Sequence, residues 1–197
     1  MNGQGPASGR SRFALRLATE DDIPALNALI DASARVLQAG DYSPAQIDGA
    51  LGSVLGVDTQ LIRDRTYFLA ELADGSGQAA GCGGWSARKT LFGTDHGPGR
   101  EPEWLDPRVD AARVRAIFVH PAYARQGLGS LILKTVEDAA RAAGFHRFEM
   151  GSTLTGVHLY RLKGYREVER IAVPLAGGET LPVVKMLKQA QPVEEGD

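Results

Sequence analysis

The segment from residue 112 to residue 144 most constrains how this chain can fold. Alternating apolar residues lead to His120-Pro121, the turn Tyr-Ala-Arg-Gln-Gly-Leu-Gly-Ser follows at residues 123–130, and an amphipathic helical pattern comes next. We expect Gly127 and Gly129 to take positive φ angles, and the helix N-terminus adds about half a positive charge. A strand, a glycine turn and a helix in this order predict a binding site for a phosphate group.

The turn lacks the residues of two common nucleotide-binding motifs. A P-loop needs Gly-x-x-x-x-Gly-Lys-Ser/Thr, and no lysine follows this turn. A dinucleotide-binding fold needs a third glycine where this chain has Ile132. Both nucleotide interpretations are therefore weakened. A nucleotide-binding or interaction module with a purely structural glycine turn stays an alternative.

Two stretches of the chain resemble one superfamily. Residues 124–129, Ala-Arg-Gln-Gly-Leu-Gly after Val-His-Pro, are similar to the pyrophosphate loop of the GNAT superfamily of acetyl-CoA-dependent N-acetyltransferases, Gln/Arg-x-x-Gly-x-Gly/Ala. Residues 153–165 resemble its pattern Asn-x-x-Ala-x-x-Leu-Tyr-x-x-x-Gly-Phe, with Tyr160 in register. The resemblance covers about residues 13–188 and is specific between 112 and 165. The departures from the patterns are Ala124, Thr153 and Gly156.

The resemblance implies a fold, a co-substrate and a set of binding residues. The fold is a three-layer α/β fold with a central mixed, mostly antiparallel sheet of about six or seven strands, about four flanking helices and parallel pairing around the cofactor cleft. The co-substrate is acetyl-CoA, and the amide of Phe118 or Val119 is a candidate oxyanion donor. The implied cofactor-binding residues are Ile117, Phe118, Val119, Arg125, Gln126, Gly127, Leu128, Gly129, Ser130 and Lys163.

Acetyl transfer from a thioester to an amine requires a neutral amine, stabilisation of an oxyanion and a proton donor for the departing thiolate. Tyr160 is the candidate acid, because a phenol with a pKa near 10 is protonated at neutral pH. Glu149 is a weak candidate base, because a solvated or salt-bridged strand residue, for example one paired with Arg147, is the favoured interpretation of it. Other candidate bases are Glu101, Glu103 and Asp106, and a water chain or no base at all also stays open. His120 is expected either to contact a ligand phosphate or to stabilise its own turn.

Composition predicts one domain and excludes several classes of protein. The chain has 197 residues, 43% of them hydrophobic, which suits a single core over residues 12–188, with disordered tails at 1–11 and 189–197. A net charge of −2 gives no general attraction to nucleic acid or to a membrane. Cys82 is the only cysteine, which fits a cytoplasmic location, and no His or Cys spacing predicts a metal site.

Local patterns predict the remaining elements. Residues 13–17 read as the first strand, Thr19 to Asp22 as a capping box before the first helix, and Ser43-Pro44 as the start of the second. Residues 66–72 and 78–86 predict an antiparallel pair, and residues 114, 116 and 118 are expected to share one face of a later strand. The predictions for the C-terminal part are a strand at 145–150, a short helix at 155–163, and a hairpin at 168–173 with 181–187.

The segment 87–110 is the predicted source of acceptor specificity. It is long, rich in Gly and Pro, and of mixed charge, so it does not distinguish a polyamine from an amino acid, an aminoglycoside or a peptide N-terminus. The expected partner is a small-molecule or peptide amine, and a homodimer is plausible. A catalytically inactive acyl-CoA-binding or sensing protein is the alternative function.

Overall fold

The computed structural model describes residues 11–97 and 100–189, and most of both predicted tails lies outside these ranges. Within them the chain forms seven strands and five α-helices. The strands are β1 Phe13–Leu17, β2 Tyr67–Leu72, β3 Ala79–Ser86, β4 Ala112–Val119, β5 Arg147–Thr153, β6 Arg166–Pro174 and β7 Thr180–Gln189. The helices are α1 Ile23–Leu37, α2 Pro44–Ala50, α3 Thr59–Arg63, α4 Leu128–Ala142 and α5 Leu154–Leu162.

The seven strands form one sheet in the order β1-β2-β3-β4-β5-β7-β6. Every neighbouring pair is antiparallel except β4 and β5, which run parallel. The predicted mixed, mostly antiparallel sheet with a parallel pair at its centre is confirmed. The helix α3 was not predicted, because five residues are too short to show an apolar repeat.

Helices cover both faces of the sheet and make the three predicted layers. Helices α1, α2 and α3 pack on one face with apolar side chains such as Leu26, Ile47 and Leu61. Helices α4 and α5 pack on the other face with Ile132, Val157 and their neighbours. Each face has its own hydrophobic core, and the sheet separates the two.

The predicted start of α2 is confirmed by its hydrogen bonds. The Ser43 hydroxyl accepts from the Gln46 amide at 3.1 Å, and the Gln46 side chain accepts from the Ser43 amide at 2.9 Å. Pro44 occupies the first helical position, where its missing N–H costs no hydrogen bond. The predicted hairpin of β2 and β3 is also confirmed.

Strand β4 contains a bulge that the sequence pattern did not predict. Pairing with β3 moves from Cys82↔Phe118 to Gly84↔Arg115. Three steps along β4 therefore correspond to two steps along β3, which leaves one extra residue in β4. Ala116 takes a φ of 50°, a left-handed conformation that costs an L-residue on the order of 1–2 kcal/mol. The predicted shared face of residues 114, 116 and 118 is therefore wrong. Val114 packs in the α4 core, and Phe118 packs in the α1 core.

The two parallel strands separate soon after they meet. Their register comprises only Ala112↔Phe148 and Arg113↔Glu149. Beyond these pairs and the bulge, the C-terminal halves of β4 and β5 are not hydrogen-bonded to each other as strands. The separation opens a cleft at the centre of the sheet.

No helix in residues 11–97 and 100–189 is both long and apolar enough to cross a bilayer. The C-terminal elements differ from their predicted bounds by a few residues at most. Strand β7 extends to Gln189, which pairs with Arg147 and so belongs to the sheet.

Candidate active site

The glycine turn lies at the N-terminus of α4, as predicted. Gly127 is the N-cap residue with a φ of 84°, which only glycine adopts at low cost. Among the described residues, the amides from Gln126 to Ser130 have no hydrogen-bond acceptor. Together with the helix dipole, these free N–H groups can bind an anion such as a pyrophosphate.

Gly129 has a different role from the one expected. It lies inside the first turn of α4, and the second positive φ of the glycine turn, besides that of Gly127, is instead that of Arg125, at 63°. A Cβ on Gly129 would lie 3.3 Å from the Leu159 side chain and 3.8 Å from that of Val119. Gly129 therefore allows α4 to approach α5 and the end of β4 closely.

The side chain of Gln126 braces the turn. Its Oε1 accepts a 2.6 Å hydrogen bond from Arg12, and its Nε2 donates to the Ala122 carbonyl at 3.2 Å. The Arg12 guanidinium also lies over the ring of Tyr123, 5.4 Å from its centroid. The fold thus adds a cation beside the turn, next to the exposed Arg125. Sequence reasoning missed Arg12 because it is 114 positions away from Gln126.

His120 stabilises the start of the turn. Its Nδ1 accepts a hydrogen bond from the Ala122 amide at 3.2 Å, and its ring packs against that of Tyr123. Of the two roles expected for this histidine, the structure shows the second.

The cleft between β4 and β5 contains a cavity of about 70 Å³. Ile117 and Phe118 line it from β4, and Tyr160 lines it from α5. Val119 follows them at the end of β4, beside Gly129. The complete lining is 54–56, 91–93, 114–118, 150–153, Tyr160 and Val183.

Tyr160 is buried in this cleft with its ring edge-on to Tyr165. Burial raises the pKa of Tyr160 above the usual value of 10, because the ionised phenol would lose its hydration. Its hydroxyl makes no hydrogen bond to any residue that the structure describes. Tyr160 thus remains a protonated donor at physiological pH, facing a small cavity.

Gly156 makes room for the ring of Tyr160. A Cβ at this position would lie 2.7 Å from Cε2 of Tyr160 and 2.9 Å from the Ser152 hydroxyl. The usual alanine of the superfamily pattern would therefore displace the tyrosine ring. Glycine in place of alanine thus accommodates the ring of Tyr160, the candidate acid.

Tyr42 fixes the N-terminus of α5, the helix that carries Tyr160. Its hydroxyl accepts from the Leu154 amide and donates to the Pro182 carbonyl, both at 2.8 Å. Burial raises the pKa of Tyr42 to about 12, so this hydroxyl keeps its proton. Sequence reasoning did not identify Tyr42, because it is 112 positions from Leu154 and belongs to no motif.

Glu149, the candidate base, is held in ion pairs. Its Oε1 lies 2.9 Å from the Lys185 ammonium, and its Oε2 pairs with Arg113. Arg147, the partner suggested by sequence, donates instead to the Val109 carbonyl. Glu149 does not line the cavity, and its two ion pairs join β4, β5 and β7. This arrangement favours a structural role.

The other candidate bases are also outside the cavity lining. Glu101 and Glu103 pair through their backbones with Thr90 and Lys89, and Asp106 is bound to Arg108. None of the three carboxylates is among the residues that line the cavity.

Lys163 is not among the residues that line the cleft cavity. It lines a second cavity of about 550 Å³ along α4, together with Ser130 and Lys134. Lys188 and Arg141 lie in the same lining and pair with the buried carboxylate of Glu137. The excess of cations suits the phosphorylated end of a ligand whose pyrophosphate binds at the turn.

A comparison with protein families identifies this arrangement. The family described as "Acetyltransferase (GNAT) family" matches residues 41–165. The chain belongs to the GNAT acetyltransferase family. Its co-substrate is the acetyl-CoA of that family, for which the free amides of the turn and the open cleft provide a fitting site.

Solved structures agree on the fold of this GNAT domain. A GCN5-related N-acetyltransferase from Rhodopseudomonas palustris superposes with a TM-score of 0.66 at 21% identity, covering 93% of this chain and 99% of that one. The PaiA N-acetyltransferase from Thermoplasma acidophilum, in complex with coenzyme A, gives 0.60 at 13% identity over 90% and 98%. The ribosomal-protein-S18-alanine N-acetyltransferase from Escherichia coli gives 0.54 at 16% over 94% and 99%. Among curated protein sequences, none matches the chain significantly.

Proposed function

We propose that this chain is an N-acetyltransferase that moves the acetyl group of acetyl-CoA to a primary amine by direct attack. The observation that carries the proposal is the cleft between β4 and β5, with free helix-terminal amides nearby and a protonated tyrosine in its wall. Acetyl-CoA supplies an activated acetyl group as a thioester. The chain itself supplies binding, orientation and a proton.

Each part of acetyl-CoA is assigned to a different part of the site. The amides of Gly127, Leu128, Gly129 and Ser130, with Arg125, bind the pyrophosphate, and Gln126 braces their turn. The backbone of Ile117, Phe118 and Val119 binds the pantetheine arm, because these residues form the free edge of β4 at the cleft. Lys163 contributes to binding of the phosphorylated adenosine end.

The catalytic step forms a C–N bond and breaks a C–S bond. The amine nitrogen bonds to the acetyl carbon and loses one proton to solvent, while the sulfur leaves as a thiolate. Tyr160 gives its phenolic proton to that sulfur and regains one from solvent. The Val119 amide stabilises the oxyanion, because the Phe118 amide, the other candidate, donates instead towards Cys82 on β3. The ion pairs of Glu149 argue against this carboxylate as the base, and in this proposal the amine that is already neutral is the attacking species.

The buried cysteine supports direct transfer without a covalent acyl-enzyme. Cys82 is fully buried, its sulfur lies 3.3 Å from the Tyr67 hydroxyl, and burial raises its pKa to about 12. A thiol with this pKa has almost no thiolate at neutral pH and is a poor nucleophile. The same reduced, buried thiol is compatible with a cytoplasmic location, which we include in the proposal.

Calorimetric titration with acetyl-CoA, with NADH and ATP as phosphate-bearing controls, tests the binding part. Selective binding at micromolar concentration, about −8 kcal/mol, is expected. Acetylation of a panel of primary amines, followed by mass spectrometry, then tests turnover. Selective binding without turnover of any amine would instead favour the inactive acyl-CoA-binding protein. Equal binding of all three ligands would mean that the glycine turn has only a structural role.

A further inference from the structure

The wall of the cleft cavity on the α1 face is formed by residues of the β3–β4 connection. Leu91, Phe92 and Gly93 line the cavity together with residues 54–56, and Phe92 packs against the core on the α1 face whereas Tyr160 belongs to the core on the other face. The acceptor amine must reach the cavity past this wall, because the glycine turn lies at the other end of the cleft. The shape of this wall therefore decides which amines fit.

A buried arginine fixes the wall on both sides of Phe92. Arg115, 4% exposed, donates to the Thr90 carbonyl at 3.0 Å and to the Gly93 carbonyl at 2.6 Å. Its charge is balanced by the buried carboxylate of Asp58, 3.0 Å away. Breaking such a pair would leave a buried charge, so the backbone around Phe92 is held in one position.

Phe92 packs directly on the strand that forms the other side of the cleft. A Cβ built on Gly151 of β5 would lie 2.8 Å from Cδ1 of Phe92 and 3.1 Å from the Val183 side chain. The phenyl ring thus lies against the β5 backbone at the cavity. The cavity of about 70 Å³ is bounded by this ring and by backbone that Arg115 anchors through two hydrogen bonds.

We propose that Phe92 is the specificity-determining residue for the acceptor, and that it selects primary amines whose nitrogen is carried by an unbranched CH₂ carbon. A substituent on that carbon needs the space that the phenyl ring occupies. The inference rests on the proposed N-acetyltransferase function and adds the substrate class.

The test compares matched pairs of amines that differ by one branch. The pairs are butylamine with sec-butylamine and glycinamide with alaninamide, assayed with acetyl-CoA as donor. The wild-type protein should prefer the unbranched member by about tenfold or more in kcat/KM. In Phe92→Ala this preference should fall by about tenfold, and Phe92→Leu should lie between the two. A wild-type ratio near one, or an unchanged ratio in a folded Phe92→Ala variant, overturns the proposal.

Trp104→Ala is the matched control on the same segment. Trp104 is exposed, stacks on the Arg88 guanidinium at 4.0 Å and does not line the cavity, so the wild-type preference should persist. Loss of the preference in this control would assign it to the segment as a whole and overturn the role of Phe92.

A binding measurement separates this proposal from the proposed function. In the presence of CoA, calorimetry should show tighter binding of N-butylacetamide than of N-sec-butylacetamide to the wild-type protein and equal binding to Phe92→Ala. If no amine is acetylated but this difference in binding is found, the proposed function fails and the selectivity of Phe92 stands. If amines are acetylated without branch selectivity, the proposed function stands and the selectivity of Phe92 fails.

Discussion

The two ends of the cleft between β4 and β5 are built in different ways. At the end near α4, binding groups come from consecutive residues, and most are backbone amides. At the end near α1, the wall comes from residues 54–56 and 91–93, and Arg115 of β4 holds the second of these segments through the Thr90 and Gly93 carbonyls. The difference shows why phosphate binding is readable from a short motif whereas acceptor selection depends on long-range packing.

Removing the Tyr160 hydroxyl should have the largest effect and act on chemistry alone. Tyr160→Phe is expected to lower kcat by about 10²- to 10⁴-fold, because the thiolate loses its proton donor. The acetyl-CoA dissociation constant, measured by calorimetry, should not change. Tyr123→Phe is the matched control, since this tyrosine is buried near the turn and outside the cavity lining. Equal kcat in Tyr160→Phe and wild type would remove Tyr160 as the acid.

A bulky side chain at the turn should act on binding instead. Gly129→Trp places an indole where Leu159 and Val119 already lie close, so acetyl-CoA affinity should fall by about 100-fold or more, or about 2.7 kcal/mol. Calorimetry measures the loss, and circular dichroism checks the fold. Gly40→Trp is the control, because nothing lies within 4 Å of its Cβ position. Undiminished affinity in Gly129→Trp would show that the co-substrate binds elsewhere.

The bulge offers a test at the boundary between the two ends. Ala116→Val should destabilise the fold by on the order of 2 kcal/mol, because a β-branched residue resists a φ of 50°. The Tyr67 hydroxyl, which donates to the Ala116 carbonyl at 3.2 Å, holds the bulge in place. Urea denaturation measures the loss, and Ala122→Val, on the exposed turn, serves as the control. Equal stability of Ala116→Val and wild type would mean that the bulge is not strained.

The smallest effect is expected from alkaline pH. Tyr160 donates only while protonated, and burial raises its pKa above the ordinary value near 10. Activity lost through its ionisation should therefore appear only above that value, and kcat at saturating substrates should not fall up to about pH 10. A pH profile of kcat with a stability check at each pH measures this. A decline well below pH 10 that is absent from Tyr160→Phe would contradict the buried environment.

Local sequence patterns predicted the structural features that adjacent residues determine. The capping box at Ser43, the β2–β3 hairpin and the positive φ of Gly127 each follow from a few adjacent residues. The bulge at Ala116 could not be predicted in this way, because alanine carries no preference for a left-handed conformation. The bulge is held instead by Tyr67, a residue far away in the chain.

The same distinction applies to the candidate site. The turn and Tyr160 were found from motifs, and Phe92 lies in the segment 87–110 that was predicted to carry acceptor specificity, although no motif identifies Phe92 itself. The partners of Glu149 are on other strands, and Arg12 and Tyr42 reach the site only through the fold. Side chains that act through contacts between distant segments leave no spacing in the sequence. The co-substrate is therefore easier to predict from the sequence than the acceptor.

The short pairing of β4 with β5 has a thermodynamic consequence. Two residue pairs and the Arg113–Glu149 ion pair connect two halves of one sheet, β1–β4 and β5–β7. A molecule of acetyl-CoA that binds both edges of the cleft adds contacts across this junction, and those contacts exist only in the folded state. By mass action, the resistance of the whole domain to unfolding then rises with the concentration of its own co-substrate. The free energy of unfolding of the enzyme is therefore expected to be highest at high concentrations of acetyl-CoA.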